Sequence, residues 1–358
     1  MGRHHDERFA PADRAAGRRR SKDRCGRRPG QFAGLFFGLF FGLTSGLVAS
    51  LILTTPCAAQ DEPRLDDLRL KGTHNSYHLR PVLAIHPRHR YEHASLSAQL
   101  EHQGVRALEL DVHLSDEGEF EVYHIAWVDG RSHCRKLRTC LDEIASWSAR
   151  NPDHVPLTVW IETKDYAGGR DIASVRPVDA VIRDALGERL LAPDDVRRHH
   201  VSLREALAIE GWPSVWESRG RVMFMLQADA DQLADYTAGL RHLEGRAMFA
   251  AGGPEHYEAP WAGVAKLNRF RPEDIERAKR SRLLLTTAVC LAEMDDAECF
   301  RDRDRALAAG VHILLDDFVQ PTPGRDYWLE LDFSRIAALE SGIAESAPLR
   351  TAREAPGS

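Results

Sequence analysis

Four stretches of this sequence end apolar runs with side chains that move protons or hold cations. The first is Leu70-Lys71-Gly72-Thr73-His74-Asn75-Ser76-Tyr77, where a His-Asn pair follows a strand-like start. In the second, Val105 to His113, a strand's period of two puts Glu109, Asp111 and His113 on one face and Leu108, Leu110 and Val112 on the other. The third, Phe120-Glu121-Val122-Tyr123-His124, ends in another histidine, and the fourth, Leu157 to Asp165, sets Glu162 and Lys164 on one face. Singly, each has an ordinary structural reading: a satisfied histidine, a polar surface face, a Glu–Lys salt bridge. Together they hold the parts of a reaction. Carboxylates projecting side by side repel unless a proton or cation sits between them. Oxygen ligands from carboxylates and an amide suit calcium or magnesium better than zinc. Two histidines can serve as general base and general acid, and a carboxylate-held metal can stabilise an anionic transition state at phosphorus. Phosphodiester chemistry fits this set more readily than glycoside or peptide hydrolysis.

Such residues need a scaffold that gathers strand ends. Eight runs read as strands: Leu68–His74, Arg106–Leu114, Phe120–Ile125, Leu157–Thr163, Arg221–Gln227, Met248–Ala251, Leu283–Val289 and Val311–Phe318. Helical stretches fall between several of them, among them Ser95–Gln103, Leu141–Arg150, Pro177–Leu186 and Pro272–Arg280, and a short final helix starts at Ser334. The 299 residues from Gln60 onward contain no repeat and no Ser/Gly-rich linker. The expectation is an α/β fold, a single-domain (β/α)8 TIM-type barrel, whose strands' C-terminal ends carry the chemistry.

Charge divides the chain. Residues 1–30 carry ten Lys/Arg against four Asp/Glu, and residues 31–59 carry no charge. The overall −6, less that +6, leaves −12 on residues 60–358, a body that repels nucleic-acid phosphates. No nucleic-acid or protein partner is expected. The basic start, the apolar run of 24 residues from Phe32 to Thr55 and Pro56-Cys57-Ala58-Ala59 read as a signal peptide cut near Ala59–Gln60. The run is also long enough to remain as a membrane anchor. Thr54-Thr55-Pro56 is a poor context for lipidation of Cys57. The expected organisation is a leader over 1–59, a barrel over 60–346 and a disordered tail over 347–358, with a secreted or periplasmic product. Past the cut, Cys134, Cys140, Cys290 and Cys299 form two close pairs. They suit two local disulfides or, otherwise, four buried thiols, and their spacing does not match a zinc ribbon.

Gly72-Thr73-His74-Asn75-Ser76-Tyr77, Leu108-Glu109-Leu110-Asp111-Val112, Val122-Tyr123-His124 and Ile161-Glu162-Thr163-Lys164-Asp165, in that order, resemble the X-region of phosphatidylinositol-specific phospholipases C. The secreted bacterial, calcium-dependent branch is the nearer likeness, through the two cysteines and Cys-Leu-Asp-Glu-Ile-Ala-Ser-Trp of 134–147 and through Asn151-Pro152-Asp153-His154-Val155-Pro156. The likeness is dense over 66–166, thin afterwards, and returns at 310–318. It implies that His74 is the base for the inositol 2-hydroxyl and that His124 protonates the leaving diacylglycerol oxygen or braces the transition state. It also implies that Asn75, Glu109, Asp111 and Glu162 hold calcium, and that Asp317 orients the base, with Asp316 the off-by-one alternative. Lys164 and Phe318 are the implied substrate-binding residues, Phe318 standing where relatives usually have tyrosine. The metal-independent branch carries arginine at the place of Asp111; an aspartate binds a cation instead of replacing one. The region 283–290 lacks an expected arginine-rich stretch, and no basic cluster for further ring phosphates is evident.

The implied activity is calcium-dependent cleavage of phosphatidylinositol-type lipids, at a membrane surface, to diacylglycerol and inositol (cyclic) phosphate. Two other readings are open. Glu109 to Gly118 also resembles glycerophosphodiester phosphodiesterases, although His74-Asn75-Ser76 stands where that family has His-Arg-Gly. A secreted barrel that binds a phospholipid or phosphosugar without turnover would be expected to lose a histidine, and both are present.

Overall fold

A computed structural model describes residues 62–164, 172–267, 271–332 and 334–341. The expected leader, its cleavage site, Asp165 and the tail lie outside these residues. Nine strands form: β1 (Leu70–Thr73), β2 (Ala107–Leu114), β3 (Phe120–Val122), β4 (Leu157–Thr163), β5 (Val222–Gln227), β6 (Met248–Ala250), β7 (Val264–Lys266), β8 (Leu284–Cys290) and β9 (Ile313–Asp316). Eight run parallel in the order β6-β5-β4-β2-β1-β9-β8-β7, and a single parallel bridge from Ala251 to Val264 links the two ends into a barrel. Helices between the strands include Leu137–Arg150, Arg176–Leu186, Pro272–Arg280 and Asp296–Ala308. This is the expected TIM-type fold.

One strand in the expected set is not a barrel strand. The run from Phe120 forms β3, which pairs antiparallel with β2 as a hairpin flap. The eighth barrel strand is β7, whose three residues are too short for a run of apolar residues to announce them. The expected count of eight was therefore right through two compensating errors.

Strands buried on both sides are apolar almost throughout, as in β5, Val-Met-Phe-Met-Leu-Gln. Polar residues in β2 and β4 are therefore informative. Glu109 pairs with Trp160 and Asp111 with Glu162 in register. Trp160 Nε1 donates across the barrel to Thr286 Oγ1 of β8 at 3.2 Å, so this face of both strands points inward. Leu108, Leu110 and Val112 face the opposite way, into the main apolar core. Gly72 lets β1 fit between its neighbours, because a Cβ there would lie 2.6 Å from Leu315 Cδ2 and 2.7 Å from Ala107 Cβ.

Both cysteine pairs are disulfides. Cys134–Cys140 ties a loop to the helix Leu137–Arg150, with Cα atoms 5.2 Å apart. Cys290–Cys299 joins the end of β8 to the helix Asp296–Ala308, with Cα atoms 4.7 Å apart.

Candidate active site

β1 ends in a pinned turn. His74 N–H donates to Asp316 C=O at 3.1 Å, Asn75 takes a left-handed φ of 46°, and Ser76 N–H donates to Glu109 C=O at 2.9 Å. Ser76 Oγ accepts from Glu109 N–H at 2.8 Å, which couples the turn to β2. Gln99 fastens the same turn from outside, receiving Thr73 Oγ1–H and donating to Ser76 C=O, both at 2.7 Å. The His74 carbonyl accepts from His93 Nε2 at 2.9 Å. His74 is thus held through both its N–H and its C=O, with its ring left to project.

His74 Nδ1 meets Asp317 Oδ1 at 2.8 Å, and Asp317 Oδ2 accepts Ala292 N–H at 2.7 Å. Asp316 serves another purpose: its oxygens accept from Phe318 N–H and Tyr327 O–H, both at 2.6 Å, in a fully buried position. Of the two adjacent aspartates, Asp317 is the one that contacts the His74 ring. Burial pushes the His74 imidazolium down, but the Asp317 carboxylate, and then Glu109, outweigh it and raise the pKa to about 9 in the absence of metal.

Glu109, Asp111 and Glu162 bring ligand oxygens within 4.8 Å of one another. Two of the three are 1% exposed. Lys266 Nζ donates to Glu109 Oε1 at 2.8 Å and lies 3.5 Å from Glu162 Oε2. Lys164 Nζ bonds Glu162 Oε1 and lies 3.5 Å from Asp111 Oδ2. Two ammoniums thus face three carboxylates. Burial and the neighbouring Glu162 and Glu109 charges push Asp111 up to about 6, against the pull of Lys164. Glu162 is held low by Lys266 and Lys164 despite its burial. Glu109 Oε2 and both Asp111 oxygens are buried without a hydrogen-bond partner. Orphaned buried oxygens are costly, and a hard, oxygen-seeking cation satisfies them without donating protons. The cluster fits calcium. Asn75 is 2% exposed and donates its amide to Tyr91 Oη at 3.3 Å, which leaves its carbonyl oxygen as the ligand it could offer.

His124 lies just past β3, so the hairpin flap carries it to the barrel. Its Nδ1 meets Asp129 Oδ2 at 2.6 Å. Asp129 is fully buried and its Oδ1 accepts from His78 Nε2 at 2.8 Å. Despite burial, those two histidines hold the Asp129 carboxyl down at about 2. The two expected catalytic histidines therefore share one design, with Nδ1 tied to a buried carboxylate. The charge of Glu109 acts on His74, and that of His124 acts on Asp111.

His113, on the inward face of β2, is not part of this group. It stacks on Tyr123 with centroids 3.8 Å apart and bonds the Tyr123 carbonyl at 2.8 Å. Phe318 is 5% exposed and carries the Arg325 guanidinium over its ring at 4.1 Å; it lines a cavity of about 290 Å³ together with Asp317, Tyr91 and His93. Lys164 is engaged with the carboxylates. Sequence reasoning missed Lys266, which sits on the unrecognised β7, and Asp129, whose sequence context (Val128-Asp129-Gly130) looks like any loop aspartate. The five-residue separation of His124 and Asp129 was the one available signal.

Residues 113–339 match the family model described as "Phosphoinositide phospholipase C, Ca2+-dependent". The match begins after the first two motifs and runs through the half of the chain where the motif likeness is thin. Among solved structures, the chain resembles the calcium-dependent phosphoinositol-specific phospholipase C of a Pseudomonas species in its apo form, at 15% identity and a TM-score of 0.54, over 73% of this chain and 93% of that one. The same protein with myoinositol matches at 16% identity and 0.54, over 74% and 93%. A calcium-dependent phosphatidylinositol-specific phospholipase C from Streptomyces antibioticus matches at 21% and 0.54, over 72% and 95%. At these identities the structural likeness speaks for the shared barrel. No curated protein matches the sequence. With more than half of its length matched to one family model, the chain belongs to the calcium-dependent phosphoinositide phospholipase C family.

Proposed function

We propose that this chain cleaves phosphatidylinositol-type lipids to diacylglycerol and an inositol cyclic phosphate, with His74 as general base and His124 as general acid. The observation that carries this reading is the pair of His–carboxylate couples, 2.8 Å at His74–Asp317 and 2.6 Å at His124–Asp129, each leaving Nε2 as the working nitrogen. His74 Nε2 takes the proton of the inositol 2-hydroxyl as that oxygen bonds to phosphorus. The bond from phosphorus to the glycerol oxygen breaks, and His124 Nε2 delivers a proton to that oxygen. Asp317 and Asp129 fix the tautomers and stabilise each imidazolium as it forms. Asn75, Glu109, Asp111 and Glu162 would hold calcium, which would supply positive charge against the phosphate oxygens. Lys164 and Lys266 temper the cluster's negative charge, and Lys164 contacts the phosphate. Phe318 walls the neighbouring cavity.

The substrate is taken from a lipid surface. Val82, Leu83, Ile85 and Trp127 are 71–99% exposed and border one groove of about 770 Å³, with Arg131 and Arg135 on its wall. Exposed apolar tips of this kind suit a lipid interface, and Trp127 stands three residues past His124. No described helix is long and apolar enough to cross a membrane. The two disulfides support an oxidising compartment, in line with a leader over 1–59 ahead of a secreted or periplasmic barrel over 60–346.

Replacing His124 by alanine tests the acid role. With phosphatidylinositol the variant is expected to lose on the order of 10²–10⁴-fold in kcat. With an inositol phosphodiester carrying a nitrophenol leaving group, which needs no proton, most of that loss should disappear. An equal loss on both substrates refutes the assignment.

A further inference from the structure

A second group of ligands lies beside the carboxylate cluster and is used by the mechanism only in part. His124 Nδ1 is 2.6 Å and His89 Nε2 is 3.8 Å from the same oxygen of Asp129, and the ligand atoms of all three residues fall within 4.8 Å of one another. Acid–base chemistry accounts for His124 and Asp129, but not for His89. That ring is 6% exposed; its Nδ1 is buried without a hydrogen-bond partner, and its Nε2 stops short of hydrogen-bonding reach of Asp129. His89 therefore faces the Asp129 carboxylate at 3.8 Å, within ion-pair distance but beyond a hydrogen bond.

We propose that His89, His124 and Asp129 form a site for a zinc-type transition-metal ion, separate from the calcium-binding carboxylates, and that its occupancy shuts the enzyme off. Two imidazole nitrogens and one carboxylate oxygen are the donor set of open, four-coordinate zinc centres, with the fourth position left to water. Calcium prefers an all-oxygen set, so the two clusters sort the two ions by ligand chemistry. Tetrahedral ligation at zinc distances needs donor atoms about 3.3 Å apart; the two imidazole nitrogens stand 2.6 and 3.8 Å from the shared Asp129 oxygen, on either side of that spacing. His78 holds the other Asp129 oxygen at 2.8 Å and so orients the ligating one.

The consequence for turnover rests on the proposed role of His124. An acid catalyst must carry protons on both ring nitrogens. A metal on Nδ1 takes the place of one of them, so His124 can no longer become an imidazolium and its Nε2–H is a far weaker acid.

Cobalt(II) is the probe, because its visible bands report tetrahedral nitrogen–oxygen ligation without any reference to turnover. His199, His200 and Glu210 form another group of possible ligands, so the titration uses the calcium-saturated enzyme with His199→Ala and His200→Ala as its background. One equivalent of cobalt(II) is expected to give tetrahedral bands, zinc to displace it, and His89→Ala to weaken binding by tenfold or more. His89→Gln serves if the alanine variant does not fold, as judged by circular dichroism. Zinc inhibition, taken for each protein relative to its own zinc-free rate at saturating calcium, should shift by the same factor. Identical cobalt spectra and affinities with and without His89 overturn the site. Cobalt binding that depends on His89, with no inhibition by zinc, keeps the site and overturns the switch, and also counts against His124 as the acid. Both failures differ from loss of calcium-dependent lipid cleavage, which would strike the functional reading alone.

Discussion

Asp317→Asn isolates the step that prepares the base. In the native site one oxygen faces His74 Nδ1 at 2.8 Å and the other accepts Ala292 N–H at 2.7 Å, with the carboxylate 2% exposed. Asparagine has one oxygen for two donors. If that oxygen stays with the Ala292 amide, the NH2 group turns to His74, donates to Nδ1 and forces the ring proton onto Nε2, the nitrogen that must be bare. The alternative flip sets NH2 against a backbone N–H in a buried position. The magnitude follows from the pKa of His74, raised from 6.5 to about 9 with Asp317 as the leading favourable contribution. A shift of that size corresponds to roughly 3 kcal/mol of imidazolium stabilisation, which Asp317 shares with Glu109. Losing most of it, together with the working tautomer, lowers kcat on the order of 10²-fold or somewhat more. KM should stay within about threefold, since Asp317 touches the base and not the phosphate. The assay is initial rates on phosphatidylinositol in mixed micelles at saturating calcium, with thermal unfolding as a check that the fold survives. A kcat within threefold of the parent, or a loss confined to KM, would refute the reasoning.

Three further outcomes follow from the geometry. Glu162→Gln removes one charge from the cluster while keeping its size, and should weaken calcium binding by roughly tenfold to a hundredfold by calorimetry; unchanged affinity would move calcium elsewhere. Gly72→Ala forces a methyl into contacts of 2.6 and 2.7 Å with Leu315 and Ala107, and should cost about 1–3 kcal/mol in urea unfolding; a neutral result would contradict the packing of β1 between β2 and β9. His113 and His154 are buried, with pKa values pushed down to about 4 by burial. The unfolded chain binds protons at both near pH 6.5 while the folded one does not, so stability should fall as pH drops from about 6.5 towards 4. The slope is up to ~1.4 kcal/mol per pH unit for each histidine, and a flat urea midpoint over that range would refute it.

Much of the candidate site was legible because its carboxylates and histidines sit where buried apolar strands turn polar. Glu109 and Asp111 stand out inside β2 since a fully buried strand has no other reason to carry carboxylates, and the period of two assigned them to one face. Asp317 could be named but not separated from Asp316, because adjacent residues at a strand's end differ only in which way each points. The fold was legible as a class and not in its count. β3 looks like a barrel strand because hairpin and barrel strands share a composition, and only the antiparallel register of Val112 with Val122 separates them. β7 escaped notice because three residues, Val264-Ala265-Lys266, carry no periodicity, and Lys266 was lost with it. Asp129 and His89 were illegible for a different reason: their importance lies in contacts to His124 and His78 that only folding creates.

The central claim is tested most directly by phosphorus NMR of the products formed from phosphatidylinositol by the residue 60–358 protein, with calcium and with a chelator. The account predicts an inositol cyclic phosphate that accumulates with calcium, vanishes with the chelator, and is absent for His74→Ala. Turnover that persists under chelation, or a product in which phosphate stays on the glycerol, would contradict it.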